Sequence, residues 1–138
     1  MTNFVDPTRE QFGAFMKAPD NEPIHMLNLI KLRDEAAYPD GRKATGKDAY
    51  ETYGKETGPI FERVGGEIAY SWDPIINLIG PTDEGWDIAF VAQYPNAAAF
   101  AEMVKDPDYQ KAVVHRQAAV LTSRLVRMHP RDPGAGFG

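Results

Sequence analysis

The residues of this sequence best suited to chemistry are an asparagine in a strand-like run, two tyrosines on one helix-like run and a histidine and arginine on another. Asn28 stands within Ile24-His25-Met26-Leu27-Asn28-Leu29-Ile30-Lys31-Leu32, where alternation puts it on one face with Met26 and Ile30. An unpaired amide there would cost about 1–3 kcal/mol, so Asn28 needs a partner, either in the core or on a ligand. Tyr50 and Tyr53 share an apolar stripe with Thr57, Ile60, Phe61 and Val64. They read as core aromatics or, for Tyr53, as a hydrogen-bonding phenol that converges on Asn28. His115 carries the side chain whose ordinary pKa, about 6.5, suits proton transfer at neutral pH, with an ordinary surface histidine as the alternative. Arg116 falls on a stripe with Tyr109, Val113 and Val120, and an arginine so placed wants a carboxylate from the protein or from a ligand. Trp72 stands at a strand irregularity, where it would line an interface or close a pocket.

These residues define the expected site. His115 and Tyr53 would be catalytic, and Asn28, Tyr50, Trp72 and Arg116 would contact a small anionic, carbonyl-bearing or aromatic molecule. No metal is expected, since His25, His115 and His129 lack helical spacing with carboxylates. No cofactor is expected either, because phosphate loops, a G-x-S-x-G elbow and dinucleotide fingerprints are missing from the sequence. The chain has no cysteine, which removes thiolate nucleophiles, disulfides and iron–sulfur clusters together. Its net charge is −5, with lysine and arginine scattered among acids, so a nucleic-acid partner is not expected. No signal peptide or membrane-length apolar run is visible, which gives a cytoplasmic expectation and no membrane partner. The same pocket without turnover, or a purely structural dimer, are the alternatives to an enzyme.

The elements that must position these residues follow from periodicity. Asp6 and Pro7 are expected to open a helix with Phe12, Phe15 and Met16, followed by a strand over 23–33. A polar connection over 34–45 reads as a mobile or functional flap, or as a contact with a partner copy. A helix from Lys47 is expected to kink at Pro59 and to close on Gly65-Gly66. A strand over 67–79, interrupted at Trp72-Asp73-Pro74, then pairs as a hairpin with a strand over 86–94. Asn96 caps a helix, Asp106-Pro107 restarts one, and a last strand covers 123–129. The order strand, helix, strand, strand, helix, strand is a ferredoxin-like α+β arrangement with an extra N-terminal helix. A single domain is expected over 1–129, with a loose tail over 130–138. Helices cover one sheet face only in that fold, yet the first and third strands are apolar on both faces. The uncovered face is therefore expected to meet a second copy, giving a homodimer in the form of a dimeric α/β barrel.

The run His25 to Leu32, Gly46-Lys47-Asp48-Ala49-Tyr50 with Tyr53, Gly65-Gly66, Tyr94-Pro95-Asn96 through Phe100 to Met103, Asp106-Pro107-Asp108-Tyr109, His115-Arg116 and Ser123-Arg124-Leu125 resemble the family called domain of unknown function 1330. The resemblance spans roughly residues 23–128 and implies membership of the dimeric α/β-barrel superfamily. That superfamily includes cofactor-free monooxygenases, lactone isomerases, polyketide cyclases and some haem enzymes, so the resemblance implies a fold and leaves the reaction open.

Overall fold

The computed structural model describes residues 3–137; Met1, Thr2 and Gly138, at the ends of the expected domain and tail, lie outside the described residues. The chain runs α1 (Arg9–Lys17), β1 (Ile24–Leu32), α2 (Gly46–Arg63), β2 (Glu67–Trp72), β3 (Ile88–Tyr94), α3 (Ala97–Lys105), α4 (Pro107–Ala119) and β4 (Val120–Met128). The strands form one antiparallel sheet in the order β2-β3-β1-β4, so β1 and β3 are the inner strands. This is the expected ferredoxin-like α+β arrangement with an added N-terminal helix.

Local chemistry sets the helix ends. Thr8, rather than Asp6, caps α1 through a reciprocal box with Gln11, while the Asp6 carboxylate accepts from Gln117. A hydroxyl one residue before the first helical turn reaches the free N–H groups, whereas Asp6 lies too far upstream. Thr45 caps α2, Asn96 caps α3 and Asp106 caps α4, where Pro107 fills a first-turn position that needs no N–H. α2 continues through Pro59 and ends on Gly65, whose φ of 88° is the left-handed turn expected there.

One face of the sheet lies under the helices. Ile24, Met26, Ala92 and Tyr94 pack with Ile60, Val64, Phe100 and Met103 in one apolar cluster, and Ile30 and Val120 pack with Tyr38, Ala49 and Ala118 in a second. The other face carries two rows that cross all the strands. Tyr70, Val91, Leu27 and Val126 form one row, and Trp72, Ala89, Leu29 and Arg124 the next. Tyr70 and Trp72 stack at 5.7 Å and remain more than half exposed.

Three expectations change. β2 stops at Trp72, and residues 73–87 form an irregular arm rather than a resumed strand. β4 begins at Val120, which leaves the helical stripe to pair with Leu32. The connection over 34–45 is held down, with the Ala36 N–H on Ala44 O, the Ala37 N–H on Ala118 O and Tyr38 buried. The tail over 130–137 is exposed and carries no helix or strand.

The close entry of α2 past β1 depends on Gly46, where a Cβ would sit 1.9 Å from the Arg33 carbonyl oxygen. Gly46→Ala is expected to cost about 1–3 kcal/mol, seen as a lower urea midpoint at unchanged slope. An unchanged midpoint would show that this approach is relaxed at no cost.

Candidate functional site

Between the two apolar clusters the helix–sheet layer turns polar. Asn28 projects from β1 toward the helices, on the face of Met26 and Ile30, with Phe90 and Leu125 directly across on β3 and β4. Its side-chain N–H donates to the Met26 carbonyl at 3.1 Å, and its amide oxygen accepts nothing from the described residues. Although it stands on an inner strand under helices, Asn28 is only half-buried. The aliphatic packing therefore does not close over it.

Side chains from α2 and α4 supply the other polar groups of this layer. The Tyr53 and Tyr109 hydroxyls hydrogen-bond at 2.9 Å, and the Tyr50 and Tyr53 rings lie 5.6 Å apart. The half-buried Arg116 guanidinium donates to the Val5 carbonyl and, at 3.3 Å, to the Ser123 hydroxyl. Ser123 pairs with Ile30, so it shares the helix-covered face with Asn28 and stands diagonal to it across the ladder. Arg116 is thus held by neutral acceptors, and among the described residues no carboxylate pairs with it. Its positive charge opposes the upward push that burial exerts on the Tyr50 and Tyr109 phenols. Such a layer can accept a negative group at Arg116 and a donor at the Asn28 oxygen.

His115 is placed differently from expectation. Both of its ring nitrogens are engaged within the chain, Nδ1 with the Tyr38 hydroxyl at 2.6 Å and Nε2 with the Glu56 carboxylate at 3.1 Å. A carboxylate at Nε2 favours the tautomer protonated there, so Nδ1 accepts from Tyr38. The Arg42 guanidinium lies 4.4 Å over the Tyr38 ring. Burial raises the Tyr38 phenol above its ordinary value, and Arg42 opposes that rise. Tyr38 and Glu56 were not singled out from the sequence, because a tyrosine in a polar connection and a glutamate on a helix carry no spacing signal toward a distant histidine. Tyr109 and Ser123 were also missed as site residues, although Tyr109 lies on the Arg116 stripe.

Trp72 corrects the expected grouping. It pairs with Ala89 on the uncovered face, whereas Asn28 pairs with Phe90 on the helix-covered face, so the sheet separates them. The bulge between Ile68 and Tyr70 produces this, since it shifts the register so that Trp72 aligns with Leu29 and not with Asn28. Two open surface grooves, one beside Pro19, Ile24 and His129 and one beside Lys31, Arg33 and Leu121, include none of Asn28, Tyr50, Tyr53 and Arg116. Gly54 and Gly58 have no atom near a would-be Cβ, so they serve no close backbone approach.

Burial lifts the Tyr50, Tyr94 and Tyr109 phenols above the ordinary value of 10.0, with neighbouring tyrosines adding to the shift. Above that value the unfolded chain releases phenolic protons that the folded chain retains. The folded state then binds more protons, so these groups stabilise fully below about pH 10 and their contribution is lost as pH rises further. Urea melts between about pH 9 and pH 11 are expected to show this decline, and Tyr50→Phe is expected to make it shallower. Equal slopes in both proteins would remove Tyr50 from the effect.

Comparison with known proteins bears on the family and the fold. The family model described as Domain of unknown function (DUF1330) matches residues 42–128. The crystal structure of RPA0582, a protein of unknown function from Rhodopseudomonas palustris, is 53% identical, with 96% of this chain and 100% of that chain covered at a TM-score of 0.91. SnoaB, a cofactor-independent oxygenase from Streptomyces nogalater, is 15% identical with a TM-score of 0.53, over 83% of this chain and 98% of that one. A dabb family protein with a ferredoxin-like fold from Mesorhizobium loti is 13% identical with a TM-score of 0.50, over 80% and 99%. At these low identities the last two show a shared fold only. No curated protein matches the sequence. No helix among the described residues is long and apolar enough to cross a membrane. A helix-covered antiparallel sheet with these motifs, and a family match over most of the chain, make this protein a member of the DUF1330 family with a ferredoxin-like α+β fold.

Proposed function

We propose that the protein binds a small anionic molecule, aromatic or carbonyl-bearing, in the polar layer between the helices and β1, without a cofactor. The observation that carries this reading is Arg116, a half-buried guanidinium with neutral acceptors and no carboxylate partner among the described residues. In this reading Arg116 pairs the anionic group, and the Asn28 oxygen, with no donor among the described residues, orients a hydroxyl or amide of the ligand. Tyr50 and Tyr53 line the space, with the Tyr53 hydroxyl already turned to Tyr109. Binding without turnover is the better supported form, because the expected base, His115, has both nitrogens spent on Tyr38 and Glu56.

A catalytic form has one observation in its favour. Glu56, His115 and Tyr38 are joined in series, and the Glu56 end is part-exposed, so a proton could pass from solvent to the buried phenol. In that form His115 exchanges the proton through Tyr38, and Tyr53 remains a hydrogen-bonding neighbour. His115→Gln would then abolish turnover of a bound ligand while leaving its affinity unchanged.

The uncovered sheet face supports a homodimer in the manner of an α/β barrel. Its two rows are apolar except for Arg124, and Tyr70, Trp72 and Val126 are exposed toward their ends, while Ala89 and Val91 between them are buried.

The binding reading is tested by thermal shift with benzoate, salicylate and short aliphatic carboxylates. Arg116→Met is expected to weaken a stabilising ligand by roughly tenfold to a hundredfold, the worth of a charge-assisted hydrogen bond. Asn28→Ala is expected to weaken it with no change in fold by circular dichroism. An undiminished shift in both variants refutes the assigned roles. For the dimer, light scattering after size exclusion is expected to give twice 15.3 kDa, and Val126→Asp to lower it toward the monomer. A parent protein that is monomeric at micromolar concentration sinks the barrel.

A further inference from the structure

The arm between β2 and β3 is the most apolar exposed segment of the described chain. Ile75 is 95% exposed, Ile76 82%, Leu78 91% and Ile79 92%. Within this run Asn77 is the polar residue, and its side-chain N–H is spent on the Glu84 carbonyl at 2.6 Å. The run therefore offers a partner aliphatic surface and little else.

The arm is tied down at its base and not at its tip. The Glu84 carboxylate meets Arg124 at 2.8 Å, on the uncovered face of β4, and the Arg124 guanidinium lies over the Trp86 and Phe4 rings. The Asp87 carboxylate accepts from the Leu32 N–H at 2.8 Å. The Glu84–Arg124 pair roots the base of the arm beside the sheet face that carries Tyr70, Trp72 and Val126. Seven large apolar side chains, Ile75, Ile76, Leu78 and Ile79 of the arm with Tyr70, Trp72 and Val126 of the face, are thus exposed, more than the single scattered apolar residues that need no partner.

We propose that this arm is a clasp on a second copy of the chain, with Ile75, Ile76, Leu78 and Ile79 packed against the exposed sheet face of the partner. The inference rests on the homodimer proposed above and adds the element that closes it. A second copy fits because the surface the arm requires, an exposed apolar sheet face, is present on the same chain. Two-fold symmetry then seats two arms at once and doubles the buried area. A lipid surface fits less well, because Asp73, Asp83, Glu84 and Asp87 flank the run and the chain carries a net charge of −5, which anionic headgroups repel.

The test pairs Ile76→Asp with Leu78→Asp in one variant. Both side chains are exposed, so the protomer should fold as the parent does. Analytical ultracentrifugation is expected to show a dimer dissociation constant raised by about a hundredfold or more. Hydrogen exchange is expected to show arm amides protected in the parent dimer and unprotected in the monomeric Val126→Asp protein. A variant that dimerises with the parent's affinity while Val126→Asp dissociates would overturn the clasp and leave the sheet-face dimer standing. A parent that is monomeric throughout would overturn both. A parent that is monomeric alone and binds phosphatidylcholine vesicles through the arm would replace the second copy with a lipid surface.

Discussion

β1 lies between β3 and β4, so both of its edges are spent on ladder hydrogen bonds and each of its faces must find its own cover. On one face Ile24, Met26 and Ile30 are covered by α2, α3 and α4, and this burial fixes the register of the sheet. A slip of one residue would carry Leu27 and Leu29 under the helices and turn Ile24, Met26 and Ile30 outward, with Asn28 among them. The position of every candidate site residue follows from that register. Asn28 and Ser123 come to the helical side, while Trp72 and Arg124 go to the other.

The helical side is not a uniform core. Its apolar residues divide into two clusters, and the residues between them are Asn28, Tyr50, Tyr53 and Arg116, which aliphatic packing cannot satisfy. Some of their needs are met internally. Tyr53 finds Tyr109, and Arg116 finds the Val5 carbonyl and Ser123. What remains, among the described residues, is a cation without a counter-charge and an amide oxygen without a donor, in a layer of reduced dielectric where both matter more than they would in water. An internal carboxylate would have made the layer a closed structural network.

The Tyr38 connection illustrates a different use of the same chemistry. A polar segment over 34–45 is fastened to α4 through the Ala37 N–H and the Tyr38–His115 hydrogen bond, with Glu56 of α2 completing the line. The histidine joins two helices and a loop at one point. Both ring nitrogens are thereby engaged away from the Asn28 amide, whose partner among the described residues is the Met26 carbonyl.

Hydrophobic periodicity and end signals in the sequence determined the elements and their order: alternation in β1 and β3, the tyrosine stripe of α2, the caps at Asn96 and Asp106, and the turn at Gly65. These are local properties, set by side chains a few residues apart, so they can be read along the chain. They were enough to place Asn28 and Tyr53 on elements that face one another and to identify a sheet face without cover. Tertiary structure alone decided which polar group answers which. Val5 and Arg116 are separated by most of the chain, Tyr38 and His115 meet because the connection over 34–45 is fastened to α4, and Trp72 leaves the Asn28 face because β2 is bulged between Ile68 and Tyr70. The same holds for the arm, where the proline after Trp72 announced an irregularity but not that the strand would end. Hydrogen-bond partners depend on distances of about 3 Å between elements remote in sequence, and no local pattern specifies those.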